Sequence, residues 1–193
     1  MKVIILLITV ILQLSLSNNF KNNTTIKINP ESTLVIKGKT NVSQFYCNYN
    51  IAKLNHDISV DFSAIDNQKM TFNKAELKLN NTFFDCGNQI MNKDFRTLLK
   101  SKTYPNIYIN LLEVEKQSDN KLLVQLAIEL AGISKQFKIP VIIEKTCNNN
   151  VRVKGNIEID ILQYNLEPPK KLLGMVKVDN TINVLFNLSL STL

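Results

Sequence analysis

The sequence has no tryptophan, one histidine, three cysteines and five glycines among its 193 residues. A single histidine excludes a multi-histidine metal site, and so few glycines leave no glycine-rich loop to hold a phosphate. Phenylalanine and tyrosine supply all of the aromatic content, which is only 7%. Membrane-spanning β-barrels carry two girdles of aromatic residues, so this composition argues against that class.

The net charge of +7 is not arranged as in a nucleic-acid-binding protein. The lysines are scattered and alternate with acidic residues, as Lys135 and Lys138 do with Glu129. No basic run is interleaved with aromatic side chains, which is the pattern that binds nucleic acids. We therefore predict a solvated basic surface and no nucleic-acid partner.

The start of the chain has the pattern of a secretory signal peptide. A short charged start precedes an apolar run over residues 3–14, and Ser15 and Ser17 supply the small residues of a cleavage site. The run is too short to span a bilayer easily. We predict a signal peptide over residues 1–17, one domain over residues 18–193, and a periplasmic or secreted protein that is not transmembrane after cleavage. An uncleaved N-terminal anchor is the alternative.

Export permits disulfide bonds, and an odd number of cysteines leaves at least one of them outside any intramolecular bridge. Cys47 and Cys86 both lie at the edges of predicted strands or turns. We predict a disulfide between these two, although the sequence alone does not establish the pairing. Cys147 is then the remaining cysteine.

Residues 83–105 contain the one convincing helical pattern of the chain. After a turn-forming segment at residues 85–88, apolar residues recur at helical spacing, namely Ile90, Met91, Phe95, Leu98 and Leu99. Pro105 prevents the helix from continuing and favours an extended conformation before it. We predict a strand, a turn, a short helix that closes one end of a β-structure, and a strand from residue 106 to residue 112.

Most of the remaining chain alternates apolar and polar residues with the period of a β-strand. Residues 122–130 and 182–190 are the clearest examples. Strands do not alternate with helices, so a parallel sheet is not expected, and we predict an antiparallel barrel or sandwich with its apolar face inward. We interpret residues 38–42 as a bend in a strand that continues through Phe45. Pro140 predicts an edge or a bulge, because it has no backbone N–H.

Three segments resemble the YceI-like family, exported bacterial proteins related in shape to lipocalins. Residues 32–42 are similar to the family's early strand, with Gly38 followed by Thr-Asn-Val. Residues 84–107 are similar to its helix and Tyr-Pro-x-Ile strand entry. Residues 130–135 are similar to its Gly-x-x-Lys hairpin. The resemblance covers most of residues 24–190, and the Asp-Cys-x-Asn form resembles variants from Bacteroidota.

This resemblance implies an all-β fold, an eight-stranded antiparallel lipocalin-like barrel with one short helix between mid-chain strands. It also implies an apolar tunnel, in which some members hold a polyisoprenoid chain such as a quinone tail, and no catalysis. The chain departs from the common pattern at Gln89-Ile90-Met91, which leaves the identity of the ligand open.

We therefore expect a non-catalytic binding protein whose barrel interior holds an isoprenoid or other lipid. The residues predicted to form the apolar lining are Ile36, Phe45, Val60, Phe62, Leu77, Leu79, Ile109, Leu126, Ile128, Ile139, Ile157, Ile159, Val184 and Phe186. The alternative is a barrel filled by its own side chains that serves as a structural or stress-related interaction module. Exposed edge strands would permit a homodimer.

The sequence offers little for catalysis or metal binding. His56 and Cys86 could form a nucleophile pair, but no third residue is placed to orient them. Asp57, Asp61 and Asp66 are close in sequence, yet strand alternation places the first two on the solvent face. We expect no enzymatic activity, no metal site and no cofactor apart from a bound isoprenoid or lipid.

Overall fold

The computed structural model describes residues 21–54, 57–64, 68–146, 150–171 and 175–192. The predicted signal peptide, His56, Asp66 and Cys147 lie outside these ranges. The strands are β1 (Lys21–Ile28), β2 (Thr33–Lys39), β3 (Gln44–Tyr49), β4 (Ile58–Ala64), β5 (Lys69–Asn80), β6 (Phe84–Asp85), β7 (Asn106–Lys116), β8 (Lys121–Leu130), β9 (Ile133–Lys145), β10 (Val151–Asp160), β11 (Lys170–Lys171), β12 (Val176–Lys177) and β13 (Thr181–Thr192). The helix α1 is Gln89–Leu98.

Eight of these strands form a closed antiparallel barrel in the order β1-β4-β5-β7-β8-β9-β10-β13, with β13 pairing back to β1. In the described part of the chain, α1 is the one α-helix, and it lies between the mid-chain strands β6 and β7. The structure thus confirms the predicted eight-stranded lipocalin-like barrel and the order of strand, turn, helix and strand around residues 83–112.

A turn over residues 29–32 separates β1 from β2, and Asn29 and Ser32 hold it to Ser189 of β13 by hydrogen bonds. Ile28 lies opposite Leu190 and Thr33 opposite Asn187, so β1 and β2 follow one edge of β13 in succession. Between them the chain turns, and the buried Ser189 donates its backbone N–H to the Ser32 hydroxyl at 2.9 Å. From β2 the sheet continues outward to β3 and β6.

The prediction of a single strand through Phe45 is wrong, because residues 40–43 form a hairpin turn between β2 and β3. Gly38 lies opposite Phe45 in this hairpin. The Thr40 hydroxyl accepts hydrogen bonds from the backbone N–H groups of Val42 (3.2 Å) and Ser43 (2.9 Å). A threonine side chain that satisfies the free N–H groups of a turn stabilises the reversal, which periodicity alone does not show.

Pro140 lies at the end of a strand pairing, as predicted. It faces Leu123 of β8 on one side, whereas the pairing with β10 extends over Val141 to Lys145. Proline is tolerated there because no N–H is needed on the second side. The neighbouring Lys135 and Lys138 are exposed, and lysines on such an edge disfavour pairing with a further chain.

The two ends of the barrel differ. One end carries α1, the turn between β8 and β9, and residues 161–166, and we call it the closed end. The other carries the β7–β8 and β9–β10 connections and the C-terminal end of β13, and we call it the open end. Asn88 caps α1, because its side-chain oxygen accepts a hydrogen bond from the Met91 N–H at 2.9 Å.

Candidate functional site

Side chains fill the closed half of the barrel interior. Tyr164 is 0% exposed and Leu166 is 1% exposed, and both come from the connection that follows β10. The Tyr164 hydroxyl donates a hydrogen bond to the carbonyl oxygen of Ile128 at 3.3 Å. Burial raises the pKa of this phenol, so the group stays neutral. The Tyr164 side chain therefore acts as a packed plug at this end.

A disulfide between Cys47 and Cys86 fixes the turn before α1 to β3. Hydrogen bonds hold the same turn: Asp85 accepts from the Asn92 amide at 3.0 Å and from the Gly87 N–H at 3.0 Å. These two donors, Asn92 first, hold the pKa of Asp85 below its usual range. The start of the helix is thus tied to β3 by a covalent bond and is held in its turn by a small polar network.

Asn81 lies buried at the start of the connection that carries α1, and it binds residues at the end of that connection. Its amide nitrogen donates hydrogen bonds to the Tyr104 carbonyl at 2.8 Å and to the Ser101 hydroxyl at 3.0 Å. Its backbone N–H donates to the Pro105 carbonyl at 2.9 Å. One asparagine therefore joins the start of the connection to its end, which sets the position of α1 over the closed end.

Inward side chains of the open half are apolar but remain partly exposed. Side chains alternate between the two faces of a strand, so Phe62, Phe72 and Leu188 face the same interior as the buried core. The residues of this kind are Ile26, Ile58, Phe62, Met70, Phe72, Val114, Leu122, Ile143, Val151, Val153, Leu188 and Leu190. Together these apolar side chains line the inner face of the open half, and each keeps part of its surface accessible.

The fourteen predicted lining residues all lie on the inner face, but in two different environments. Those that stay partly exposed are Phe45, on β3 outside the barrel ring, and Phe62, Leu77, Ile109, Val184 and Phe186 on barrel strands. Those packed in the buried core are Ile36, Val60, Leu79, Leu126, Ile128, Ile139, Ile157 and Ile159. Contact of any of them with a ligand stays a prediction.

Sequence reasoning missed most of the open-half residues. Alternation marked the strands of Leu122, Ile143 and Leu188 and gave their inward direction. Alternation did not show which half of the barrel other segments of the chain fill. Tyr164 and Leu166 do that, and they lie in a connection that has no periodic pattern.

The alternative chemistries find no support in the part of the chain that is described. Asp57 is exposed, and Asp61 accepts a hydrogen bond from the Asn73 amide at 3.4 Å. Among the described residues, no three histidine, cysteine or acidic side chains gather where they could hold a metal. No helix within the same residues is long and apolar enough to cross a membrane.

Two clefts lie on the outside of the barrel. One, of about 420 Å³, lies between α1 and residues 165–169 and includes Asp94, Lys100 and Glu167 in its lining. The other, of about 380 Å³, follows the outer faces of β2, β13 and β10 and includes Lys37, Glu158 and Asn183. Their charged and amide side chains suit polar groups, whereas the lumen suits apolar ones.

Solved structures of other proteins have the same barrel fold. A polyisoprenoid-binding domain from Saccharophagus degradans implicated in plant cell wall breakdown aligns with a TM-score of 0.62 at 13% identity, covering 87% of this chain and 98% of that chain. BcnA from Burkholderia cenocepacia aligns with a TM-score of 0.60 at 16% identity, covering 84% of this chain and 99% of that chain. A mutant CJ YceI protein with a monobromobimane guest aligns with a TM-score of 0.54 at 16% identity, covering 70% of this chain and 80% of that chain.

At such identities the similarity establishes the fold and leaves function to be argued from the site. No family model matches the sequence, and no curated protein matches it. The helix over the closed end, the Tyr-Pro strand entry and the barrel order nevertheless coincide with what the three sequence segments implied. The chain therefore has the barrel fold of the YceI-like proteins.

Proposed function

We propose that this protein is a non-catalytic member of the YceI-like family that holds a long apolar ligand in the open half of its barrel. The ligand class is a polyisoprenoid, a quinone or another lipid with an extended tail. One observation carries the proposal: the inward side chains of the open half are apolar and yet partly exposed. A ligand that covers them gains about 25 cal/mol for each Å² of apolar surface removed from water.

The depth of the lumen favours a chain over a compact molecule. A strand rises about 3.3 Å per residue, so the inner face of β13 from Val184 to Leu190 extends for about 20 Å. The packed side chains of Tyr164 and Leu166 lie beyond the inner end of this path. We therefore propose that the ligand enters tail first from the open end and stops at the filled half, with its head group near the rim.

The similarity to solved structures supports this ligand class. One of the solved structures with the same fold is described as a polyisoprenoid-binding domain. The shared fold makes the same class of ligand the natural first candidate here. The lining residues of the open half fit that chemistry, because they include aliphatic and aromatic side chains from all eight barrel strands.

We also propose that the protein is exported, with a signal peptide over residues 1–17 and a periplasmic or secreted domain over residues 18–193. The disulfide between Cys47 and Cys86 supports this, since such bonds persist in oxidising compartments and are rare in the cytosol. The apolar run at residues 3–14 supports it independently. Mass spectrometry of the mature N-terminus tests the cleavage site directly.

A filled barrel with an interaction role is the second candidate. The observation that favours it is the closed half, which the chain packs with its own side chains. The outer edge of the sheet at β6 offers a place for a homodimer in this case. Light scattering on the purified protein tests the dimer.

Native mass spectrometry decides between the two candidates. The protein is purified without detergent from an exporting host, weighed intact, and then extracted with organic solvent. We expect a discrete added mass that extracts as an isoprenoid or another long-chain lipid. A bare mass that takes up neither ubiquinone, menaquinone nor polyprenols would contradict lipid binding and favour the filled barrel.

A further inference from the structure

The open end of the barrel carries different charges on its inner and outer faces. Side chains alternate between the two faces of a strand, so the neighbours of a residue show which face it occupies. Every acidic residue of the described barrel strands near this end adjoins an inward apolar residue and therefore lies on the outer face. These residues are Asp61, Glu113, Glu115 and Glu144.

Lys145, by contrast, lies on the inner face of the rim. It follows Ile143 by two residues on β9 and is directly opposite Val151, the first residue of β10. Val151 is in turn opposite Leu190 of β13. Adjacent strands are about 4.8 Å apart, so the backbone of Lys145 lies about 10 Å along the rim from that of Leu190. The exposed Lys145 side chain therefore extends from the border of the apolar inner face.

The carboxylates of the outer face already have cationic partners. The ion pairs are Lys69 with Glu113 at 2.8 Å, Lys154 with Glu144 at 2.7 Å and Lys138 with Glu115 at 4.0 Å. Lys116 contacts Asp119 of the β7–β8 connection at 2.9 Å. Lys145 contacts no carboxylate among the residues that the structure describes. Its ammonium group is therefore available to a ligand.

We propose that the lipid bound in the barrel has an anionic head group, which Lys145 binds at the rim. This inference rests on the proposed lipid binding and narrows the class of ligand. The head group is a carboxylate or a phosphate, because both present anionic oxygens to an ammonium donor. The ligand is then a long-chain fatty acid or an isoprenyl phosphate rather than a neutral quinone.

The position of Lys145 favours such a head group. A cation beside apolar walls acts through a medium that screens charge less than bulk water does. The tail covers Val151 and Leu190, while the head group stays at the rim within reach of the ammonium group. A neutral head group would leave that ammonium group without a partner. Selectivity between lipids that share a tail and differ in head group therefore reports the role of Lys145.

Lys121 provides a matched control for Lys145. It begins β8 at the same end of the barrel, is exposed, and lies opposite Ile142 on the outer face. Within the described ranges it too contacts no carboxylate. The two lysines therefore differ in the face that they occupy, and the inner one alone can meet a head group in the barrel.

Displacement of a neutral apolar dye measures the selectivity. Delipidated protein is loaded with N-phenyl-1-naphthylamine and titrated with two matched pairs of ligands, myristate with tetradecanol and farnesyl phosphate with farnesol. We expect at least one anion to bind about tenfold more tightly than its alcohol at low salt, as one charge-assisted hydrogen bond provides. This advantage should shrink at high sodium chloride. The pair that shows it identifies the head group as a carboxylate or a phosphate.

Lys145→Gln should abolish the preference for the anion, whereas Lys145→Arg and Lys121→Gln should keep it. Circular dichroism checks that each variant is folded. Equal affinities of each anion and its alcohol in the unchanged protein, or a preference that Lys145→Gln retains, would overturn the role of Lys145. Displacement by all four ligands without preference would leave the proposed lipid binding intact. A protein that binds neither the dye nor any of the ligands would overturn both proposals.

Discussion

The ring of Phe186 lies against the bare backbone of Gly155 on the neighbouring strand, at mid-height on the inner face of the barrel. A Cβ atom added at Gly155 would lie 2.5 Å from the Cζ atom of that ring, which is closer than real contacts allow. The pair is directly opposed between β10 and β13. Glycine at this position thus lets an aromatic ring lie along the wall and leaves the space in front of it open.

Gly155→Ala should therefore narrow the lumen. The added methyl group displaces the Phe186 ring, and overpacking of this kind costs about 1–3 kcal/mol of stability. We expect a folded protein with reduced lipid occupancy in native mass spectrometry. Combining Gly155→Ala with Phe186→Leu removes the clash and should restore occupancy. Unchanged occupancy in Gly155→Ala would show that the ligand does not pass this point.

Charges introduced into the two halves of the barrel should have different effects. Ile128 is 3% exposed within the filled half, so Ile128→Glu buries a carboxylate among apolar side chains and should prevent folding. Phe186 faces the partly accessible interior, so Phe186→Glu should leave a folded barrel that loses its lipid. Circular dichroism and native mass spectrometry check the two outcomes. A folded Phe186→Glu protein that retains lipid would contradict the assigned lining.

Loss of the disulfide should lower stability more than loss of the third cysteine. Cys47 and Cys86 are 39 residues apart in sequence, and a bridge of that span stabilises a protein by about 3–4 kcal/mol through the unfolded state. We expect Cys47→Ser with Cys86→Ser to unfold at lower urea concentration. Cys147→Ser serves as the control, and a midpoint equal to that control would argue against the bridge.

The contribution of Asp85 to stability should depend on pH. Hydrogen bonds from the Asn92 amide and the Gly87 N–H lower the pKa of this carboxyl in the folded protein, relative to 3.8 without these contacts. A depressed pKa stabilises the folded state above the unfolded pKa, and this stabilisation is lost as the pH falls through the folded pKa. The unchanged protein should therefore exceed Asp85→Asn in stability at pH 7, and the difference should shrink below about pH 4.

Urea unfolding of both proteins across that range measures the difference. Asp119→Asn is a suitable comparison, because the pKa of that exposed carboxyl is also lowered, here by Lys116 in the β7–β8 connection. Its removal should matter less, since it holds no helix in place. A constant difference between the unchanged protein and Asp85→Asn at all pH values would show that the carboxylate charge is not what stabilises the turn.

Local patterns in the sequence were sufficient for the strands, the helix and the direction of the side chains. Alternation along residues 122–130 and 182–190 predicted strands with an inward apolar face, and both are found. The turn-forming segment at residues 85–88, the apolar spacing after it and Pro105 predicted a short helix followed by a strand. These signals are local, because the period of a strand or helix is set by neighbouring residues.

The sequence was less informative about the reversal between β2 and β3 and about the interruption between β1 and β2. The reversal at residues 40–43 was missed, because it depends on Thr40 binding the N–H groups that follow it. The interruption between β1 and β2 depends on Ser32 and Ser189, which are 157 residues apart. Neither position carries a periodic signal that a reader of the sequence could use.

By itself, the sequence determined that apolar faces exist on a set of antiparallel strands and that a helix follows the turn at residues 85–88. Only the tertiary structure decided how the interior is divided. Tyr164 and Leu166 enter one half from a connection, while the other half keeps partly exposed apolar side chains. The physical reason is that filling a barrel depends on the volumes of side chains brought together from distant positions, and no local period records that sum.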